Sequence, residues 1–224
     1  MRDISTRRIG DRTVSSLLDD LADDGEVAGG GALAAVAAAA GAAMVSMVGR
    51  TTIRRGSSAD AHGRMEEIVA EADRLRVELL ALADDDTEAF SSVLAALRSP
   101  KASEQQERDR HRAVQDAYRH AAEVPLAVLR RAVMLMELVH EVTVSGDAEA
   151  ASEGVTGAST LFAAAVGAIA SARADGAALS DAGRARSIVD ETDDLRERAR
   201  RFLAATEAAF EARLGASTGV GQPR

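Results

Sequence analysis

The sequence predicts an all-α fold, a helical bundle in which two buried small-residue central helices are wrapped by long amphipathic ones. Three observations predict it. Hydrophobic residues make up 46% of the 224-residue chain while aromatic ones reach only 2%, so the interior is built from Ala, Leu, Val and Met. Ala and Leu are the strongest helix formers, and the β-branched and aromatic residues that favour strands are sparse. Two long stretches carry no charge at all, 28–49 and 154–172, and between them apolar residues recur every three or four positions.

The uncharged stretches are expected at the centre. Both consist mainly of Ala, Gly and Ser with a few Val, Met and Leu, and such small side chains let helix backbones approach closely. By length the first would suffice to cross a membrane. Its Ala and Gly give little transfer free energy, so the reading is a helix buried within a soluble bundle or at the centre of a dimer, with no membrane partner.

The outer helices follow from periodicity and punctuation. Met65, Ile68, Val69, Ala72, Leu75, Leu79, Leu82, Ala83, Phe90, Val93, Leu94 and Leu97 keep a helical spacing, predicting one amphipathic helix over 59–98 that Ser99-Pro100 ends. Ser103 and Gln106 form a capping-box pattern opening the next helix, expected to run to about residue 123, with Pro125 starting another that ends near Ser145-Gly146. Ser180-Asp181 is expected to cap a final helix reaching about residue 213. The domain reading is therefore a flexible start over 1–12, a helical domain over 13–214, and a disordered tail, rich in Gly, Ser and Thr, over 215–224.

Composition narrows the function. A net charge of −9 argues against neutralising nucleic-acid phosphates, which requires a basic face. The absence of cysteine removes thiolate nucleophiles, thiolate metal sites and disulfides, and fits an intracellular chain. His62, His111, His120 and His140 never stand four apart, so no metal ligand pair is expected. The N-terminal Arg2, Arg7, Arg8 and Arg12 are interleaved with Asp3 and Asp11 and lead into no apolar run, so a cytoplasmic address is the expectation.

Chemistry is sought where helix ends and stray charges meet the core. Gly29, Gly30 and Gly31 precede the first uncharged helix, and Ser152, Glu153 and Gly154 the second. A helix N-terminus presents unpaired N–H groups, and glycine admits a ligand to the backbone, although the same glycines also suit a plain turn. Asp86 stands four residues after Leu82 and four before Phe90, on the stripe turned to the core. A carboxylate there is either a tie to another helix or a working group in a cleft. Asp84 and Asp85 are read as a solvated acidic run. Arg54, Arg55 and Arg173 follow the uncharged stretches, where arginine can clamp a carboxylate or simply favour a helix C-terminus.

These segments together carry a family resemblance. VAGGGALAAVAAAAGAAMVSMVGRTTIRR over 27–55, ALADDDTEAFSSVLAALRSPK over 81–101, AAEVPLAV over 121–128 and GDAEAASEGV over 146–155 are similar, in order and spacing, to segments of the cyclodeaminase/cyclohydrolase family of folate enzymes. The resemblance extends over about 14–212. Departures fall at Ala32, Arg54, Ser58, Asp147 and Glu153, and Ser171, Arg173 and Asp175 stand where the family tends to Asn-x-Arg-x-Asn. The resemblance implies hydrolysis of 5,10-methenyltetrahydrofolate or ring closure of 5-formiminotetrahydrofolate with loss of ammonia, neither requiring a metal or redox cofactor. It implies Glu153 and Asp86 as the catalytic carboxylates, with Gly29, Gly30, Gly31, Arg54, Arg55, Ser152 and Arg173 binding the folate. Its members pair, so a homodimer is expected. The alternative is a folate-binding or structural helical dimer that no longer catalyses.

Overall fold

The computed structural model describes residues 8–23, 29–56 and 59–218. They form six α-helices: α1 (Val14–Ala22), α2 (Gly30–Arg55), α3 (Ala59–Leu97), α4 (Glu104–Ser145), α5 (Ala151–Ala177) and α6 (Ala182–Thr218), with 3-10 turns at Ile9–Asp11 and Ala148–Ala150. No strand occurs among the described residues, and the predicted all-α fold is the observed one.

Helix α2 packs against both α3 and α5, and both run antiparallel to it. Along α3, Gly31 meets Asp86, Ser46 donates to Asp73, and Gly49 faces Val69. Along α5, Ala34 lies against Gly167 and Gly41 against Leu161. The crossing with α5 is close because it is made of small residues: a Cβ on Gly41 would lie 2.5 Å from Leu161 Cγ. Any side chain there would force the helices apart. Helix α4 lies beneath this pair and contributes Val128, Leu129, Ala132, Val133, Leu135, Met136 and Val139 to the shared core. Helix α6 closes the far side through Leu195 and Ala199.

Three expectations change on contact with the structure. Pro125 does not start a helix; it sits buried inside the continuous α4. An internal proline costs about 3 kcal/mol through its missing N–H and the clash with a carbonyl one turn back. Burial of Ala121, Ala122, Val124, Leu126, Val128 and Leu129 around it offsets that cost and holds the helix together. The structured region is also wider at both ends. Ile9 is buried and its N–H donates to Asp84 at 2.7 Å, so Asp84 ties the N-terminal turn to α3 and is not simply solvated. Helix α6 runs through Thr218, into the segment read as tail, while residues 219–224 lie outside the described set.

The predicted α3 stripe holds from Met65 to Ala83 and then turns. Beyond Asp86 the buried positions are Ala89, Val93 and Ala96, with Ala89 and Val93 packed on α4, while Phe90 and Leu97 are exposed. The cause is the length of α2. It ends opposite Asp86, so the next turns of α3 have only α4 to lean on.

The two uncharged helices are not wrapped all round. Their most apolar windows, with mean hydropathy 1.9 and 1.6, are only 61% and 44% buried. Helix α2 leaves Leu33, Ala40 and Met47 open, followed by the exposed Arg50 and Arg54, and α5 leaves Ser159, Ala163, Val166 and Ala170, in each case at helical spacing.

Candidate active site

The first turn of α2 is where chain chemistry and exposed backbone donors come together. Gly29 is the extended residue before the helix and offers no side-chain cap. The cap comes from another helix: the Asp86 carboxylate on α3 accepts a hydrogen bond from the Ala32 N–H. A carboxylate placed there satisfies an orphan donor and meets the positive end of the helix dipole. Gly31 is required by this contact, because a Cβ on it would lie 2.1 Å from Asp86 Oδ1. So Gly31 makes room for Asp86 and the helix N-terminus is already partly occupied by a protein anion. Gly30 points the other way, toward α5, where a Cβ would stand 4.0 Å from Ser171 Oγ.

One turn after Ser171 on α5 comes Asp175, close enough to Asp86 for the Asp86 charge to act on it. Burial first, and then the Asp86 charge, push the Asp175 carboxyl up to about 6. Burial also raises Asp86, and the Ala32 N–H pulls it partly back. Among the described residues neither acid forms an ion pair. Two carboxylates with no cation between them favour either a shared proton or a positively charged ligand.

The expected binding arginine at this end is committed elsewhere. Arg173 lies on α5 but turns to α6, donating to Thr192 Oγ1 at 2.7 Å, to the Val189 carbonyl at 3.3 Å and to Asp193 at 2.7 Å. It fastens α5 to α6 and does not reach the acid pair.

The remaining candidates gather at the opposite end of α2 and α5. Arg54 and Arg55 lie in the last turn of α2. Arg54 is exposed, and Arg55 pairs with Asp147 at 2.7 Å and Glu149 at 2.6 Å. Ser152 and Glu153 do not precede α5 but occupy its first turn, where Ser152 Oγ donates to Glu153 Oε2 at 2.7 Å. Gly154 serves packing: a Cβ on it would fall 2.0 Å from Thr143 Oγ1 of α4. With 24 residues separating Gly31 from Arg55, the two ends of α2 are about 36 Å apart. Within one subunit Glu153 and Asp86 therefore do not share a cleft, because α5 runs antiparallel to α2 and carries its N-terminus to the far end.

The acid that does meet Asp86 is Asp175. Its sequence signal is its place in the Ser171, Arg173, Asp175 series at the end of the second uncharged helix. Spacing alone did not single it out, since its proximity to Asp86 arises from the α2–α5 crossing.

The chain is similar to known proteins in sequence and in fold. The formiminotransferase-cyclodeaminase family profile matches residues 13–212. A methenyltetrahydrofolate cyclohydrolase from Methylorubrum extorquens is 33% identical over 135 residues, spanning 59% of this chain and 65% of that protein. A formimidoyltransferase-cyclodeaminase from Rattus norvegicus is 30% identical over 126 residues, 56% of this chain, and the match spans only 23% of its length. A crystal structure of formiminotetrahydrofolate cyclodeaminase from Thermotoga maritima has the same fold, with a TM-score of 0.82 at 23% identity over 91% of this chain and 98% of that one. With the family profile matched over nearly its whole length and the same fold throughout, the chain belongs to the formiminotransferase-cyclodeaminase family.

Proposed function

We propose that this protein is a cytoplasmic folate one-carbon enzyme whose principal reaction is the hydrolysis of 5,10-methenyltetrahydrofolate to 10-formyltetrahydrofolate. The observation that carries it is the cation-free pair Asp86 and Asp175 beside the N-terminus of α2. The methenyl carbon lies between N5 and N10 in a positively charged amidinium, the kind of group that two uncompensated carboxylates attract. Water adds to that carbon and gives up a proton to a carboxylate. In the resulting adduct the bond from carbon to N5 breaks as the hydroxyl loses its proton and N5 takes one, leaving the carbon as a formyl group on N10 with one proton released overall. Atoms and charge balance without metal or redox cofactor. A carboxyl titrating near neutrality suits both the acceptance and the return of the proton, and Asp175 is assigned that role. Asp86, held by Ala32, is assigned to stabilising the cationic carbon.

A second reading, ring closure of 5-formiminotetrahydrofolate with release of ammonia, is favoured by the similarity to the rat and Thermotoga maritima proteins. It uses the same amidine carbon and the same pair. The methenyl reaction is placed first because the cyclohydrolase is the more similar relative in sequence, at 33% against 30% identity.

The open faces of α2 and α5 are read as the surface that a second copy covers. Exposed Leu33 and Val166, 46% and 47% accessible, lie on adjoining helices within stretches 28–49 and 154–172, which carry no charge. Apolar area of that kind is stabilised by removal from water, and a symmetric dimer would make one four-helix layer from two such faces. The proposal includes no membrane partner. Light scattering at micromolar concentration is expected to give twice the chain mass, and a monomeric mass with full helicity would overturn the dimer.

The activity is tested by the loss of methenyltetrahydrofolate absorbance, corrected for spontaneous hydrolysis. The parent is expected to exceed buffer clearly, and Asp175→Asn and Asp86→Asn to lower kcat by about 10²-fold each. A parent no faster than buffer, on both the methenyl and the formimino compound, would refute the enzymatic reading in favour of a non-catalytic member of the family.

A further inference from the structure

Phe90 is placed as no core residue should be. It follows Asp86 by four residues on α3, so the two side chains neighbour each other on one helix face. The ring is nevertheless 49% exposed. Burial of a phenylalanine side chain is strongly favourable, and this chain has only four phenylalanines and one tyrosine to bury. Among the described residues Phe90 is the one aromatic side chain left largely open.

The exposure has a structural cause. Helix α2 stops opposite Asp86, with Gly31 against the carboxylate, so no residue of α2 covers the next turn of α3. The α4 side of that turn is already filled, since Ala89 and Val93 pack on Ala121, Val124 and Tyr118. The ring is thus left as the apolar neighbour of the acid pair, with no aromatic partner; the ring contact among the described residues is His140 with Phe202, far along α4 and α6. A flat apolar face one helical turn, about 5.4 Å, from a cation-attracting pair of carboxylates matches a ligand that is itself a planar heterocycle with a positive centre at its edge.

We propose that Phe90 is a substrate-positioning residue on which the planar pterin ring stacks, setting the one-carbon bridge against Asp86 and Asp175. This rests on the folate reading above and extends it to a residue outside the acid pair. Stacking orients the ring and fixes which face of the bridging carbon meets water. The polar remainder of the substrate then extends away from α3.

The test uses the full-length protein and three substitutions. Phe90→Ala is expected to raise KM for methenyltetrahydrofolate at least tenfold with a smaller change in kcat. Phe90→Leu keeps apolar bulk without a ring and is expected to remain impaired, whereas Phe90→Tyr restores KM to within about threefold. Because the side chain is exposed, melting temperature and helicity stay at parental values. The chain contains no tryptophan, so Phe90→Trp introduces a single reporter whose emission is expected to be quenched saturably by a reduced folate. An active parent alongside Phe90→Ala and Phe90→Leu variants with parental KM overturns the inference and leaves the enzymatic reading standing. So does a Phe90→Ala variant whose only change is conversion of a dimer to a monomer, since the ring would then be a subunit contact. A parent that neither binds nor turns over any reduced folate overturns both.

Discussion

The two ends of the α2–α5 pair are built from the same residue types and put them to opposite uses. At the C-terminal end of α2, Arg55 answers Asp147 and Glu149, and the acids are neutralised where they stand. The Arg55 guanidinium is held even further above its ordinary range by those partners, Glu149 foremost. At the N-terminal end, Asp86 and Asp175 are partly buried without a cation; burial makes both harder to ionise, and the Asp86 charge adds to the effect on Asp175. Charge that is paired at the surface contributes little and holds a turn in place. Charge left unpaired in a half-buried setting costs stability, and a fold retains such a cost where a ligand or a reaction uses it. On that ground the proposed site is assigned to the Asp86 end.

The contrast can be broken most forcefully at Gly31. Gly31→Val places side-chain atoms where Asp86 Oδ1 now lies, and is expected to cost about 2 kcal/mol and nearly all turnover. Gly31→Val retaining parental stability and rate would mean that the Asp86 contact with the α2 terminus is dispensable. At the other end, among the described residues, no glycine is comparably tied to a carboxylate.

Titration sharpens the same contrast. The Asp175 carboxyl titrates at about 6 in the folded chain against 3.8 as its ordinary value. Between those values the folded state binds more protons than the unfolded one, so this residue favours the fold at the acid side and its contribution is lost as pH rises through 6. The paired acids Glu71, Asp73, Glu78, Glu141 and Glu191 are held low, and their contribution is lost only at more acidic pH, as it falls through their depressed values. Melting temperature is therefore expected to drop by a few degrees from pH 5.5 to 7.5 in the parent, and Asp175→Asn to flatten that drop by raising the pH 7.5 value. An unchanged pH profile in the variant would place the titration elsewhere.

Smaller effects are expected at the paired end. Glu153→Gln should leave kcat within about twofold of the parent, because in one subunit Glu153 lies at the far end of α5 from Asp86. A hundredfold loss would instead show that a neighbouring copy carries its Glu153 into the site, joining the two ends across a dimer. Arg55→Ala, which removes two exposed ion pairs, is expected to shift the melting temperature by less than about 2 °C and to leave KM unchanged.

Much of the architecture was legible in the order of residues. The all-α class, the start and stop of α3, the Ser103 cap and the Asp181 cap follow from local propensity and hydrogen bonding, which act over three or four residues and need no knowledge of the rest of the chain. The family resemblance was legible for the same reason, being a pattern along the chain. Asp86 was recognisable as anomalous because a carboxylate on an apolar stripe must find a partner. What that partner is could not be read. Whether Asp86 meets Ala32 and Asp175, or Glu153, depends on α5 running antiparallel to α2, and sequence spacing carries no direction for a packed helix. Tertiary packing likewise carried α4 straight through Pro125, where burial outweighs a local preference to break. It also left Phe90 exposed on a stripe whose period called for burial, because periodicity names the face of a helix that turns inward, and only the length of the neighbouring helix decides whether anything is there to cover it.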